Sequence, residues 1–161
     1  MKRKSPFALS AILVTTVALS GEPQAYRNVE YGFRLQPPAF EVEDAFGISA
    51  TPVSFQGPVK DGKAPVCNVQ VQNMDLTPAQ YRELSLNQFK AIGLSLDTEE
   101  QRRVSDKAAT VWRYSGSGIK AIALAVFASK RIYLTTCLAP EAGFANEEAH
   151  FLTMINSFAL E

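Results

Sequence analysis

Apolar and polar positions alternate with period two at several points along the chain, the signature of half-buried strands. Tyr31, Phe33 and Leu35 alternate with Gly32, Arg34 and Gln36. Pro37 and Pro38 end that strand, because proline donates no ladder hydrogen bond. Phe40 and Val42 alternate with Glu41 and Glu43, and a third strand is expected from Ile48 towards Phe55. From Gln56 to Pro65 the chain holds Gly57, Pro58, Asp61, Gly62, Lys63 and Pro65, a cluster of turn formers that predicts a loop. The cleanest alternation comes next: Cys67, Val69 and Val71 share one face, Asn68, Gln70 and Gln72 the other. That pattern suits a sheet with one apolar face and one face that meets solvent or polar partners.

The period then changes to that of a helix. Thr77 is a good N-cap, Pro78 fits the first helical position, and Gln80 completes a capping box. Leu76 and Tyr81 form a hydrophobic staple. Tyr81, Leu84, Gln88, Phe89 and Ile92 mark one side, expected to be buried with Gln88 as its polar exception, and Gly93 supplies a left-handed stop. Beyond it, Gln101 to Ser115 turns from polar to apolar, with Val111, Trp112 and Tyr114 marking a strand before Ser115-Gly116-Ser117-Gly118. Ile119 to Phe127 is broken only by Lys120 and reads as a central strand covered on both faces. Ser129-Lys130-Arg131 turns it into Ile132 to Leu138. Asn146 is expected to cap a last helix, with Glu147 and Glu148 at its positive end and Phe151, Ile155 and Phe158 as its buried stripe. Strand runs with segregated helices predict an α+β layered domain on a mostly antiparallel sheet.

Composition narrows the class. The chain has 161 residues, 47% of them hydrophobic and 20% charged, with 16 basic against 16 acidic side chains. Such figures exclude intrinsic disorder and a strongly basic nucleic-acid binder. Arg102-Arg103 and Lys130-Arg131 are scattered pairs, not a stripe for nucleic acid. Lys2, Arg3 and Lys4 precede an apolar stretch from Pro6 to Leu19, and small residues stand at Ala18 and Ser20. This is the order of a secretory signal peptide over residues 1–20, cut before Gly21. The apolar stretch is too short for a span, so no membrane-spanning segment is expected after cleavage. Cleavage leaves 13 basic against 16 acidic residues, a formal charge of −3. Residues 21–161 read as one domain of a periplasmic or secreted protein, without internal repeats.

Taken in order, these segments resemble the PsbP-like, or Mog-type, superfamily over almost the whole mature chain. The resemblance is carried by Tyr31 to Pro38, the strand around Val69 and Val71, and the helix after Leu76-Thr77-Pro78. Ala109 to Tyr114, the hairpin from Ile119 to Cys137 and the closing Ile155-Asn156-Ser157-Phe158 extend it. It implies an α/β/α sandwich around a mostly antiparallel central sheet, and a protein that binds and assembles. Its members include a photosystem subunit, GTPase partners, chaperones of secreted toxins and periplasmic immunity proteins. Many bacterial members are lipoproteins, but no cysteine lies near the cut here, so no lipid anchor is expected.

Reactive chemistry is sparse. His150 is the one histidine and is read as a partly exposed helix residue, since one histidine builds no multi-histidine metal site. No Gly-x-Ser-x-Gly elbow is present, and Ser115 to Gly118 lacks the Gly-Lys-Ser/Thr ending of a phosphate loop. Glu41, Glu43 and Asp44, and again Asp97, Glu99 and Glu100, cluster without the residue order of a calcium loop. No catalytic residue, cofactor or metal is therefore expected. The aromatics Tyr31, Phe33, Trp112, Tyr114 and Tyr133 are read as core before ligand pocket. Cys67 and Cys137 admit two readings: a structural disulfide, natural in an oxidising compartment, or two buried thiols on strands too far apart to bridge.

The expected function is that of an exported, non-catalytic module that binds another protein by surface contacts. Its candidate surfaces are the Gln56 to Pro65 loop and the Ala139 to Ala145 connection, because loops on a rigid scaffold carry recognition. A periplasmic immunity protein that neutralises a toxin, and a carrier of a small apolar ligand, are the alternatives.

Overall fold

The computed structural model describes residues 24–39, 44–48 and 50–161. The expected signal peptide, the strand placed on Phe40 and Val42, and the Glu41–Glu43 pair lie outside them. Among the described residues, ten strands and two helices follow in the order β1 (Tyr26–Asn28), β2 (Phe33–Leu35), β3 (Asp44–Ile48), β4 (Thr51–Gln56), β5 (Val66–Gln72) and α1 (Pro78–Ala91). Then come β6 (Ser95–Val104), β7 (Lys107–Gly116), β8 (Ile119–Ala128), β9 (Arg131–Pro140), α2 (Glu141–Ser157) and β10 (Ala159–Leu160).

A seven-stranded sheet runs β3-β4-β5-β9-β8-β7-β6, and a three-stranded sheet runs β1-β2-β10. Every pairing is antiparallel. The strand β8 shows why the large sheet is covered on both sides. Ile122, Leu124 and Val126 enter one core with Phe33, Leu35 and, from α2, Phe151 and Ile155. Ala121, Ala123 and Ala125 enter the other, with Tyr81 of α1, Trp112 and Tyr114. Alternate residues of a strand face opposite ways, so small side chains on the second face leave room for three large aromatics. Trp112 is fully buried and Tyr81 stacks on it, ring centres 6.2 Å apart.

Helix α1 begins as expected. The Gln80 amide N–H donates to Thr77 Oγ1 at 3.3 Å, and the Thr77 N–H donates to Gln80 Oε1 at 2.9 Å. Gly93 takes φ +81° just past its end. The buried stripe differs at three places: Ser85 is buried, whereas Gln88 is exposed and Ile92 is 66% exposed. Ile92 is the C-cap, so it leaves the helix before its side chain reaches the sheet.

Four further differences have physical causes. Tyr31 lies in a turn ahead of β2, held by its N–H donating to Asn28 Oδ1 at 2.9 Å. The segment expected as one strand from Ile48 is a hairpin of β3 and β4, with Ile48 paired to Thr51. The polar run Ser95–Val104 is an edge strand: it exposes its charged side chains except the half-buried Arg102 and is held by the backbone ladder of β7, which an apolar-polar pattern does not reveal. Helix α2 starts at Glu141, and Asn146 sits inside it. Pro140 has φ −52°, so β9 passes straight into the helix, and burial of Phe144 holds a first stretch that contains Gly143 and Asn146. The Ala139 to Ala145 segment is thus the end of a strand and the start of a helix, not a loop.

Candidate functional site

The loop between β4 and β5 is built by its own backbone. Gly57 N–H donates to Pro65 C=O at 2.9 Å, closing its base. At the tip Lys60 and Lys63 exchange both backbone hydrogen bonds, at 2.7 and 3.0 Å. Between them Asp61 and Gly62 both have positive φ, 51° and 72°. Two such residues make the tight hairpin turn for which Asp-Gly is the strongest local signal. Lys60 and Lys63 are both exposed and are held in register as a pair.

This hairpin faces the start of α2 across a groove of about 400 Å³. Its apolar surface comes from Pro58, Pro65, Ala139, Pro140 and Ala142. Lys60 and Lys63 stand on the loop side with Asp61 between them, and Asn146 and Glu147 on the helix side. Gly143 lines the helix wall, and a Cβ built on it would meet open space. Neither lysine belongs to an ion pair among the described residues. The next polar groove along α2 differs in this respect, since Arg113 pairs with Glu148 and Lys120 with Glu141. The two segments singled out as recognition surfaces therefore meet at one place, although the second is ordered as strand and helix.

The other candidate residues have structural surroundings. His150 is half-buried on α2, outside the lining of the groove. Asp97 accepts from Ser115 Oγ at 2.8 Å. Glu99 accepts from Arg82 Nε at 2.7 Å and from the buried Trp112 indole N–H at 2.8 Å. Partial burial alone would raise its pKa, but the Arg82 guanidinium and the indole donor outweigh it and hold the carboxyl below the usual glutamate value. Arg102 donates to Asn156 Oδ1 and to the Ile155 carbonyl, both at 3.0 Å, capping the end of α2. Among the described residues no group of three histidine, cysteine or acidic side chains is placed to hold a metal ion. Phe33, Trp112, Tyr114 and Tyr133 are core, and the Tyr133 hydroxyl donates to the Tyr31 carbonyl at 2.7 Å.

Cys67 and Cys137 are joined, and both are fully buried. What sequence could not supply was the strand order: β5 and β9 are neighbours, which sets the two cysteines directly opposite. No described helix is long and apolar enough to cross a membrane.

No family model matches the sequence, and no curated protein matches it. Solved structures do match the fold. The solution structure of cyanobacterial PsbP (CyanoP) from Synechocystis sp. PCC 6803 aligns with a TM-score of 0.63 at 13% identity, covering 92% of this chain and 99% of that one. The crystal structure of PA94 from Pseudomonas aeruginosa, a protein of unknown function, aligns with a TM-score of 0.53 at 16% identity, covering 80% and 90%. The likeness is one of architecture: a PsbP-like α+β fold on a mostly antiparallel sheet.

Proposed function

We propose that this chain is an exported, non-catalytic binding module that holds a segment of a partner protein in the groove between the Lys60–Lys63 hairpin and α2. One observation carries the reading: two lysines locked in register stand beside an apolar surface, with no ion pair among the described residues. Exposed charge without a partner costs little in water, yet it gains when an opposite charge docks and water leaves. The partner segment carries a carboxylate at the lysine side and small apolar side chains over the prolines. Glu147 on the far wall disfavours a uniformly acidic segment and so sets its direction.

Export is supported by the order of residues 1–20 and by the buried Cys67–Cys137 bridge, which belongs in an oxidising compartment. Helices whose buried residues enter cores on opposite faces of the sheet support reading its layers as an α/β/α sandwich. The test is affinity capture from the native exported fraction with the wild-type mature protein, Lys60→Glu/Lys63→Glu, and Gly143→Trp. A partner retained by wild type and lost from both variants, with neither melting below wild type, supports the groove. Equal retention by all three proteins removes it.

A further inference from the structure

The second face of the sheet is only half covered. Buried residues of α1 share a core with β7, β8 and the start of β9, and beside them β5 presents Asn68, Gln70 and Gln72. These three amides, with Thr136 of β9 and Gln88 and Phe89 of α1, line a groove of about 290 Å³. No side chain of its lining is charged, in a chain where 20% of residues are. Two acceptors of its lining residues, Asn68 Oδ1 and Gln72 Oε1, are buried and have no hydrogen-bond partner. A buried acceptor left unpaired forfeits the hydrogen bond it had with water, so each such atom asks for an explanation.

We infer that this groove is a second binding site, for an uncharged peptide segment lying extended along β5. Unpaired acceptors call for N–H or O–H donors. A charged ligand would lose hydration here without a counter-charge, and a wholly apolar one would leave both oxygens unpaired. The ligand is therefore neutral and rich in donors. Its shape follows from the amide spacing. Asn68, Gln70 and Gln72 project from every second residue, roughly 6.7 Å apart at the rise of a strand. An extended peptide repeats its own backbone groups at that same interval, so successive side-chain amides meet successive N–H and C=O groups. Rotation about the terminal amide torsion, which is broad for these side chains, turns the buried oxygens towards such an occupant. The site lies on the opposite face from α2 and does not depend on the lysine groove.

The test uses the 15N-labelled mature protein and follows the side-chain amide resonances of Asn68, Gln70 and Gln72. Three probes are titrated: a blocked hexapeptide alternating Thr and Val, the same peptide with Glu for Thr, and maltohexaose. The neutral peptide is expected to shift all three resonances saturably, and the acidic one to bind at least about tenfold more weakly. Gln70→Ala, with Gln88→Ala as a second variant on the exposed helix, is expected to weaken the neutral peptide about tenfold, whereas Lys60→Glu/Lys63→Glu leaves it unchanged. The inference is overturned if no probe moves these resonances, if only maltohexaose does, if the two peptides bind equally, or if the lysine variant abolishes the shifts.

Discussion

Cys67 of β5 and Cys137 of β9 lie directly opposite each other across the ladder, with Cα atoms 4.0 Å apart. They close a loop of 70 residues that contains α1 and strands β6, β7 and β8. The native chain is expected to be two hydrogens lighter than its reduced form and to resist alkylation. Cys67→Ala/Cys137→Ala is expected to lose up to about 4 kcal/mol in denaturant unfolding, by the loop-closure model. Two thiols that alkylate in the native protein would contradict the bridge.

The two cores answer differently to a change of volume. Ala123 faces the aromatic core, where Trp112 and Tyr81 already fill the space, so Ala123→Leu is expected to cost about 1–3 kcal/mol by overpacking. Phe151 is fully buried under the other face, and Phe151→Ala is expected to cost about 3–5 kcal/mol by leaving a cavity. Urea midpoints for both variants check this, and a neutral Ala123→Leu would show that the aromatic core is loose.

Two glycines should respond to alanine with opposite sign. Gly143 is helical with open space at its Cβ position, so Gly143→Ala is expected to stabilise by about 0.5–1 kcal/mol. Gly93 has φ +81°, and a Cβ there would lie 2.4 Å from Ser117 Oγ. Gly93→Ala is therefore expected to destabilise by more than about 1 kcal/mol. Thermal melts of both variants decide it.

Acid stability has an identifiable contributor. The pKa of Glu99 is lower in the fold than its ordinary value of 4.5, because Arg82 and the Trp112 indole bond the carboxylate. A depressed carboxyl stabilises the fold at neutral pH, and that contribution fades as pH falls through the folded value. Glu99→Gln is expected to flatten the stability curve between about pH 5 and pH 3. The slope of the urea midpoint against pH measures the effect, and an unchanged slope would remove Glu99 from the account.

Much of this fold was legible where one residue type allowed one conformation. Thr77, Pro78 and Gln80 announced α1, and the alternation from Cys67 to Gln72 announced β5 together with its two faces. Trp112 and Phe33 were correctly expected inside. The failures share a cause, which is that local pattern carries no information about neighbours. The run Ser95–Val104 is a strand because β7 lies beside it, and Gly143 and Asn146 are helical because Phe144 is anchored in the core. The candidate site was half legible. Turn formers marked the lysine hairpin, with Asp61-Gly62 as the signal for its tight tip. That the same groove is walled by α2 depends on Pro140 joining strand to helix, and the polar groove along β5 appeared only once its neighbours were known.

The strand order also dictates when the molecule is finished. Strands β6 to β9 join through short hairpins and zip up locally, whereas β5, paired on one edge with β4, waits for its second neighbour, encoded far downstream. As the polypeptide emerges, β3, β4 and β5 can pair only with one another and join the rest of the sheet once β9 has followed them out. Oxidation of the cysteine pair then marks the moment at which the two halves meet, and a chain halted before that point leaves one edge of β5 bare for a chaperone or a protease.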